Sequence, residues 1–173
     1  GFEIDGATYI PMPWPGYHVV AIRSSGGVVA GTYARRGFYY VGGYDLAGTS
    51  ALDALTGSFD GSFVLRGYLP SSYSGTGYML STLEYRAPVV QADVGLSTLP
   101  IFLKRIDASA FVDWGGAFDR FRAEQLNLFY NGELVYSPDL HASIGGELWI
   151  QFTLAHRADT LFKLGYAYGF SPE

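Results

Sequence analysis

A chain of 173 residues with no cysteine excludes a disulfide-stapled scaffold and a zinc site built on thiolates. A net charge of −5, with no basic cluster longer than Arg35-Arg36, argues against nucleic acid as a partner. Apolar residues make up 49%, yet they never form the run of about eighteen that a membrane-spanning helix needs. Crossing by strands of about 9–11 residues, each with one apolar face, remains open. The 23 glycines, 14 tyrosines, 12 phenylalanines and 3 tryptophans, against only 11 lysines and arginines, fit lipid-facing strands with aromatic girdles better than a charged, soluble surface.

No signal peptide opens the chain, and Gly1-Phe2 reads as the interior of a longer protein. Residues 1–9 read as the tail of a strand whose pairing stays undecided, stopped by Pro11, Pro13 and Pro15. Residues 17–31 form a weakly patterned strand. Residues 32–75 show no sustained period and read as one long loop, rich in Gly, Ser, Tyr and Asp, with a short extended piece at 38–44. Residues 77–87 are extended, with Pro88 as the terminator. Residues 105–115 alternate: Ile106, Ala108, Ala110, Val112 and Trp114 share one face, and Asp107, Ser109, Phe111, Asp113 and Gly115 the other.

Residues 139–153 carry the longest alternation. Leu140, Ile144, Leu148, Ile150 and Phe152 lie on one side, and His141, Ser143, Glu147, Trp149 and Gln151 on the other. Such a stretch spans about 50 Å, against about 5–6 residues for a common soluble strand. After a short turn at 155–159, residues 160–170 alternate again, with Phe162, Leu164, Tyr166, Tyr168 and Phe170 on one face. If the apolar faces meet lipid, the interior holds Asp107, Asp113, Glu147, Gln151 and Lys163. If they are packed inward, the fold is a β-sandwich.

Leu65-Arg66-Gly67-Tyr68 resembles the loop tetrapeptide of the Omp85 superfamily of bacterial surface antigens, which includes BamA-like assembly barrels. Phe111-Val112-Asp113-Trp114-Gly115 resembles that family's Asp-Gly strand, and the strand bearing Glu84 its glutamate strand. The final hairpin resembles the family's penultimate pair. Ser97-Thr98-Leu99-Pro100 resembles a turn of those barrels fused to a TolB-type propeller.

The resemblance covers roughly residues 17–170 and implies an all-β fold: an incomplete antiparallel transmembrane β-barrel, with about five or six of about sixteen strands, and a long extracellular loop folded into the lumen. It implies an outer-membrane location and a role in assembly, insertion or translocation of a polypeptide, with no enzymatic activity. Partners would be outer-membrane lipid, the missing strands and periplasmic domains of a parent chain, and an unfolded outer-membrane or secreted polypeptide. In that pattern Arg66 meets Glu84 and Asp113, Gly67 turns the backbone against the wall, and Tyr68 adds contact area and a hydroxyl.

A structural or passive-pore barrel and a soluble, ligand-binding β-sandwich are the alternatives. No cofactor or metal is expected. Asp139, His141 and Ser143 share a strand face, but side chains two apart lie about 6.6 Å from each other, a poor triad.

Overall fold

The computed structural model describes residues 1–29, 38–43, 64–95, 100–119, 129–130, 133–134, 140–155 and 157–170. Six long strands carry the fold: β1 (Phe2–Pro11), β2 (Val19–Val28), β5 (Gly77–Gly95), β6 (Ile101–Phe118), β9 (His141–Leu154) and β10 (Ala158–Phe170). They form one antiparallel sheet in the order β1-β2-β5-β6-β9-β10. Strands β3 (Tyr39–Val41) and β4 (Tyr73–Gly75) make a separate ribbon, and β7 (Phe129–Tyr130) pairs with β8 (Glu133–Leu134). The turn motif at 97–99, Asp139 and most of the 32–75 segment lie outside the described residues.

The period of two in the sequence becomes two dissimilar faces. Cross-strand register aligns Ala21, Glu84, Phe111, Gly145 and Ala167 on one of them. Arg66, Glu84, Asp107, Asp113, His141 and Ser143 are buried on or against that face. The opposite face carries Leu83, Val112, Ile144, Leu148, Leu164, Tyr166 and Phe170, all exposed. A small core of Val41, Leu65, Tyr78, Leu80 and Ala117 fills the space between the β3–β4 ribbon and the polar-lined face, with Tyr39, Tyr68 and Tyr73 packed against it.

Two boundaries differ from the sequence reading for identifiable reasons. Pro88 does not end its strand: β5 runs on to Gly95, and the register shifts between Pro88 and Val90 and again between Gln91 and Val94. A proline cannot donate to the ladder, and a bulge is where a strand tolerates that loss. Residues Phe2–Pro11 form a full strand paired along its length to β2, and the turn behind it uses positive φ at Gly16 and Tyr17.

The expected transmembrane barrel is corrected. Closure would require the first and last strands to pair; instead β1 and β10 are the two edges of an open sheet, each paired with one strand among the described residues. The described strands enclose no lumen, so the loop residues around Arg66 lie on one face of a sheet rather than inside a pore, and a passive pore falls with the barrel. Lipid cannot satisfy two rows of unpaired backbone groups, so the sheet does not support the expected outer-membrane location, and that expectation is corrected. A sealed sandwich does not form either, since no second sheet among the described residues covers the exposed apolar row.

Tyr78, at the centre of the core, donates its hydroxyl to Glu3 at 2.9 Å. Burial pushes this phenol up from 10.0 to about 12, and the hydrogen bond to Glu3 adds to the rise. The folded state thus holds the proton that the unfolded chain releases, so stability falls as pH climbs from about 10 to about 12. Chemical denaturation across that window is expected to show a steeper loss for the parent chain than for Tyr78→Phe. Equal slopes would remove Tyr78 as the cause.

Candidate functional site

The site is built from one loop and three neighbouring strands. Glu84 on β5, Asp113 on β6 and Glu147 on β9 lie on the same face of the sheet, and all three side chains are nearly fully buried. Three carboxylates so placed repel one another and have lost most of their water. A cation with several donors resolves both problems.

Arg66 supplies it. Its guanidinium grips Asp113 with both arms of the fork, Nε to Oδ2 at 2.7 Å and Nη2 to Oδ1 at 2.8 Å. Nη1 donates to Glu147 Oε1 at 3.1 Å and lies 3.7 Å from Glu84 Oε2, an ion pair without a hydrogen bond. The guanidinium carbon sits 3.3 Å from the centre of the Phe111 ring, stacked as a cation on an aromatic face. Burial alone would lower the Arg66 pKa, but the hydrogen bonds and charges of Asp113 and Glu147 outweigh it and hold the group above its ordinary value. Arg66 is therefore permanently charged.

The acids are steadied in turn. Arg86 donates Nε to Glu84 at 2.8 Å, and the Trp149 indole donates to Glu147 Oε2 at 2.8 Å. Phe111 fits because its β9 partner is Gly145: a side chain there would strike the Phe111 ring and the Tyr166 carbonyl.

Each neighbour of Arg66 has a separate task. Leu65 is completely buried in the small core, and its N–H donates to Gly42 O at 2.7 Å. Gly67 has φ +90, and a Cβ there would lie 2.9 Å from the Gly169 nitrogen and 3.2 Å from Ser143 Cβ. Only glycine tolerates both demands. The Tyr68 hydroxyl reaches Ala142 O at 2.7 Å and Phe170 O at 3.0 Å, two carbonyls at one end of the β9–β10 pair. Tyr73 stacks on His141 with ring centres 3.8 Å apart.

Of the residues singled out in the sequence, Leu65, Arg66, Gly67, Tyr68, Glu84, Phe111 and Asp113 converge here. Gly115 lies further along β6, where the backbone of β5 passes too close for a side chain. Glu147 was not named as a partner of Arg66. Its signal was its place on the polar face, and the β6–β9 register that sets it opposite Ser109 was not readable. Among the described residues the buried Ser143 hydroxyl makes no hydrogen bond to a base. No group of three or more His, Cys, Asp or Glu among the described residues could hold a metal ion.

No family model, curated protein or solved structure matches the chain. The resemblance to the Omp85 superfamily therefore does not extend to membership. With it goes the expected role in assembly, insertion or translocation at an outer membrane. A short motif can specify one arginine–carboxylate contact on many sheets, and that contact alone does not define a family.

Replacing Arg66 with alanine strands Asp113 in a buried position and is expected to cost about 3–5 kcal/mol of stability. Arg66→Lys keeps the charge but loses the fork, so its stability should fall between the two. Denaturant unfolding of the three proteins checks the order. Equal stability for lysine and arginine would show that charge matters and fork geometry does not.

Proposed function

We propose that the chain is a non-catalytic, polypeptide-binding β-domain: the locked loop organises one face, and an extended partner strand pairs with the open edge at β10. The observation that carries this reading is the edge itself. Strand β10 offers thirteen residues, Ala158–Phe170, paired as a strand with β9 alone among the described residues. Natural edges are usually blunted by proline, bulges or inward charges. Here the register with β9 runs without a break, the strand has no proline, and Lys163 is the one charge along its central stretch.

A partner strand would gain backbone hydrogen bonds, and its alternate residues would extend the row of Phe162, Leu164, Tyr166, Tyr168 and Phe170. The non-catalytic part rests on the saturation of the buried acids by Arg66 and on the unpartnered Ser143 hydroxyl.

Hydrogen exchange tests the proposal, with a synthetic peptide of alternating leucine and threonine as the probe. Titration should slow exchange at alternate amides of β10, those turned away from β9. Tyr166→Lys, at a position 75% exposed, should weaken that protection while leaving the unfolding midpoint nearly unchanged. Unchanged β10 exchange at every peptide concentration would overturn the reading.

A further inference from the structure

A second feature of the polar-lined face borders the Arg66 cluster through Arg86 and Trp149. Beside the turn that joins β1 to β2 is a groove of about 700 Å³ whose lining includes Tyr9, Tyr17, Arg86, Arg105, Ser109 and Trp149. Its polar groups are unusually incompletely used.

Arg86 donates only its Nε, to Glu84, and Arg105 only its Nε, to Asp107, each at 2.8 Å. Their terminal nitrogens make no other hydrogen bond among the described residues. Both side chains stay accessible, at 36% and 47%. The guanidinium of Arg86 is fixed in direction, with its carbon 4.6 Å from the Trp149 ring centre and 5.9 Å from that of Tyr9. Lys163 holds its ammonium 4.7 Å from the same tryptophan ring.

The Ser109 hydroxyl is buried and without a partner, although Ser109 sits directly opposite Arg86 in the β5–β6 register. A buried hydroxyl left unsatisfied costs free energy, and an acceptor arriving from the groove would relieve it. Glu84 and Asp107 occupy the Nε side of their arginines, leaving the terminal nitrogens for an incoming oxyanion. The other wall, formed by Pro88, Val89 and Val90, is apolar.

We infer that this groove is a binding site for a small organic oxyanion, a carboxylate or phosphate carried on a planar apolar body. The oxyanion is held by the terminal nitrogens of Arg86 and Arg105 and by the Ser109 hydroxyl, and the body lies against the apolar wall. Nothing in this site depends on strand pairing at β10, so either proposal can fail without the other.

The probes are 2-naphthoate and 2-naphthyl phosphate, with 2-naphthol as the neutral control. Nitrogen-resolved NMR spectra follow the Nε–H signals of Arg86 and Arg105 and the Trp149 indole. At least one anion should shift all three signals saturably and bind more weakly as salt is added, while naphthol leaves them in place. The tighter anion identifies the headgroup.

Arg105→Gln should weaken that binding about tenfold or more, with an unchanged circular dichroism spectrum confirming the fold. Ser109→Ala, which removes only the hydroxyl, should weaken it as well. The site is refuted if neither anion shifts these signals, if naphthol binds as well as the anions, or if both variants bind like the parent.

Discussion

The arrangement depends on one buried arginine. Glu84, Asp113 and Glu147 come from three adjacent strands, and the register that makes the sheet also brings their charges together. In an interior of low effective dielectric such a triad is strongly self-repelling. Arg66, reaching in from a loop, turns that repulsion into the contact that seats the loop. The sheet needs the cation, and the cation fixes the placement of a loop that Leu65 and Tyr68 also hold. A buried ion pair is weak evidence for net stability, since desolvation offsets much of the attraction. Its larger consequence is geometric, because a forked contact accepts only one placement of the loop.

The packing around the pair follows from that placement. Phe111 lies beneath the guanidinium because Gly145 leaves room for the ring. Gly67 brings the loop backbone close to β10, and Tyr68 then spans the end of the β9–β10 pair through two carbonyls. The loop thus ties the outermost strand of the sheet to the central β6 without pairing with it. One face is fastened in this way, while the other remains a row of exposed apolar and aromatic side chains ending at an open edge. The asymmetry is the basis for assigning organisation to the first face and partner contact to the second.

Much of the strand content was legible because alternation is a direct image of the pleat. Residues 105–115, 139–153 and 160–170 fall within or close to β6, β9 and β10. The strand at Phe2–Pro11 was ambiguous because its pairing depends on β2, and Pro88 misled because a bulge is a property of two strands rather than one. The meeting of Arg66 with Asp113 could be anticipated from face counting and motif resemblance. Glu147 could not be selected from the other polar-face residues without the register. The assignment to a transmembrane barrel was the largest error. Which face meets which environment, and whether edges pair, are properties of the assembled sheet that alternation does not encode. The resemblance carried a whole architecture on a tetrapeptide, two short strand motifs, a terminal hairpin and one turn.

A double-mutant cycle on Arg66 and Asp113, using Arg66→Met and Asp113→Asn with unfolding free energy as the readout, tests the central claim most directly. The two substitutions should be strongly non-additive, with a coupling energy of about 2–3 kcal/mol, because Arg66→Met already loses the forked contact with Asp113, while the cost to Glu84 and Glu147 of losing Arg66 is the same in both backgrounds and cancels. Additivity to within about 0.5 kcal/mol would mean that the loop is seated by other contacts and that this pair does not organise the fold.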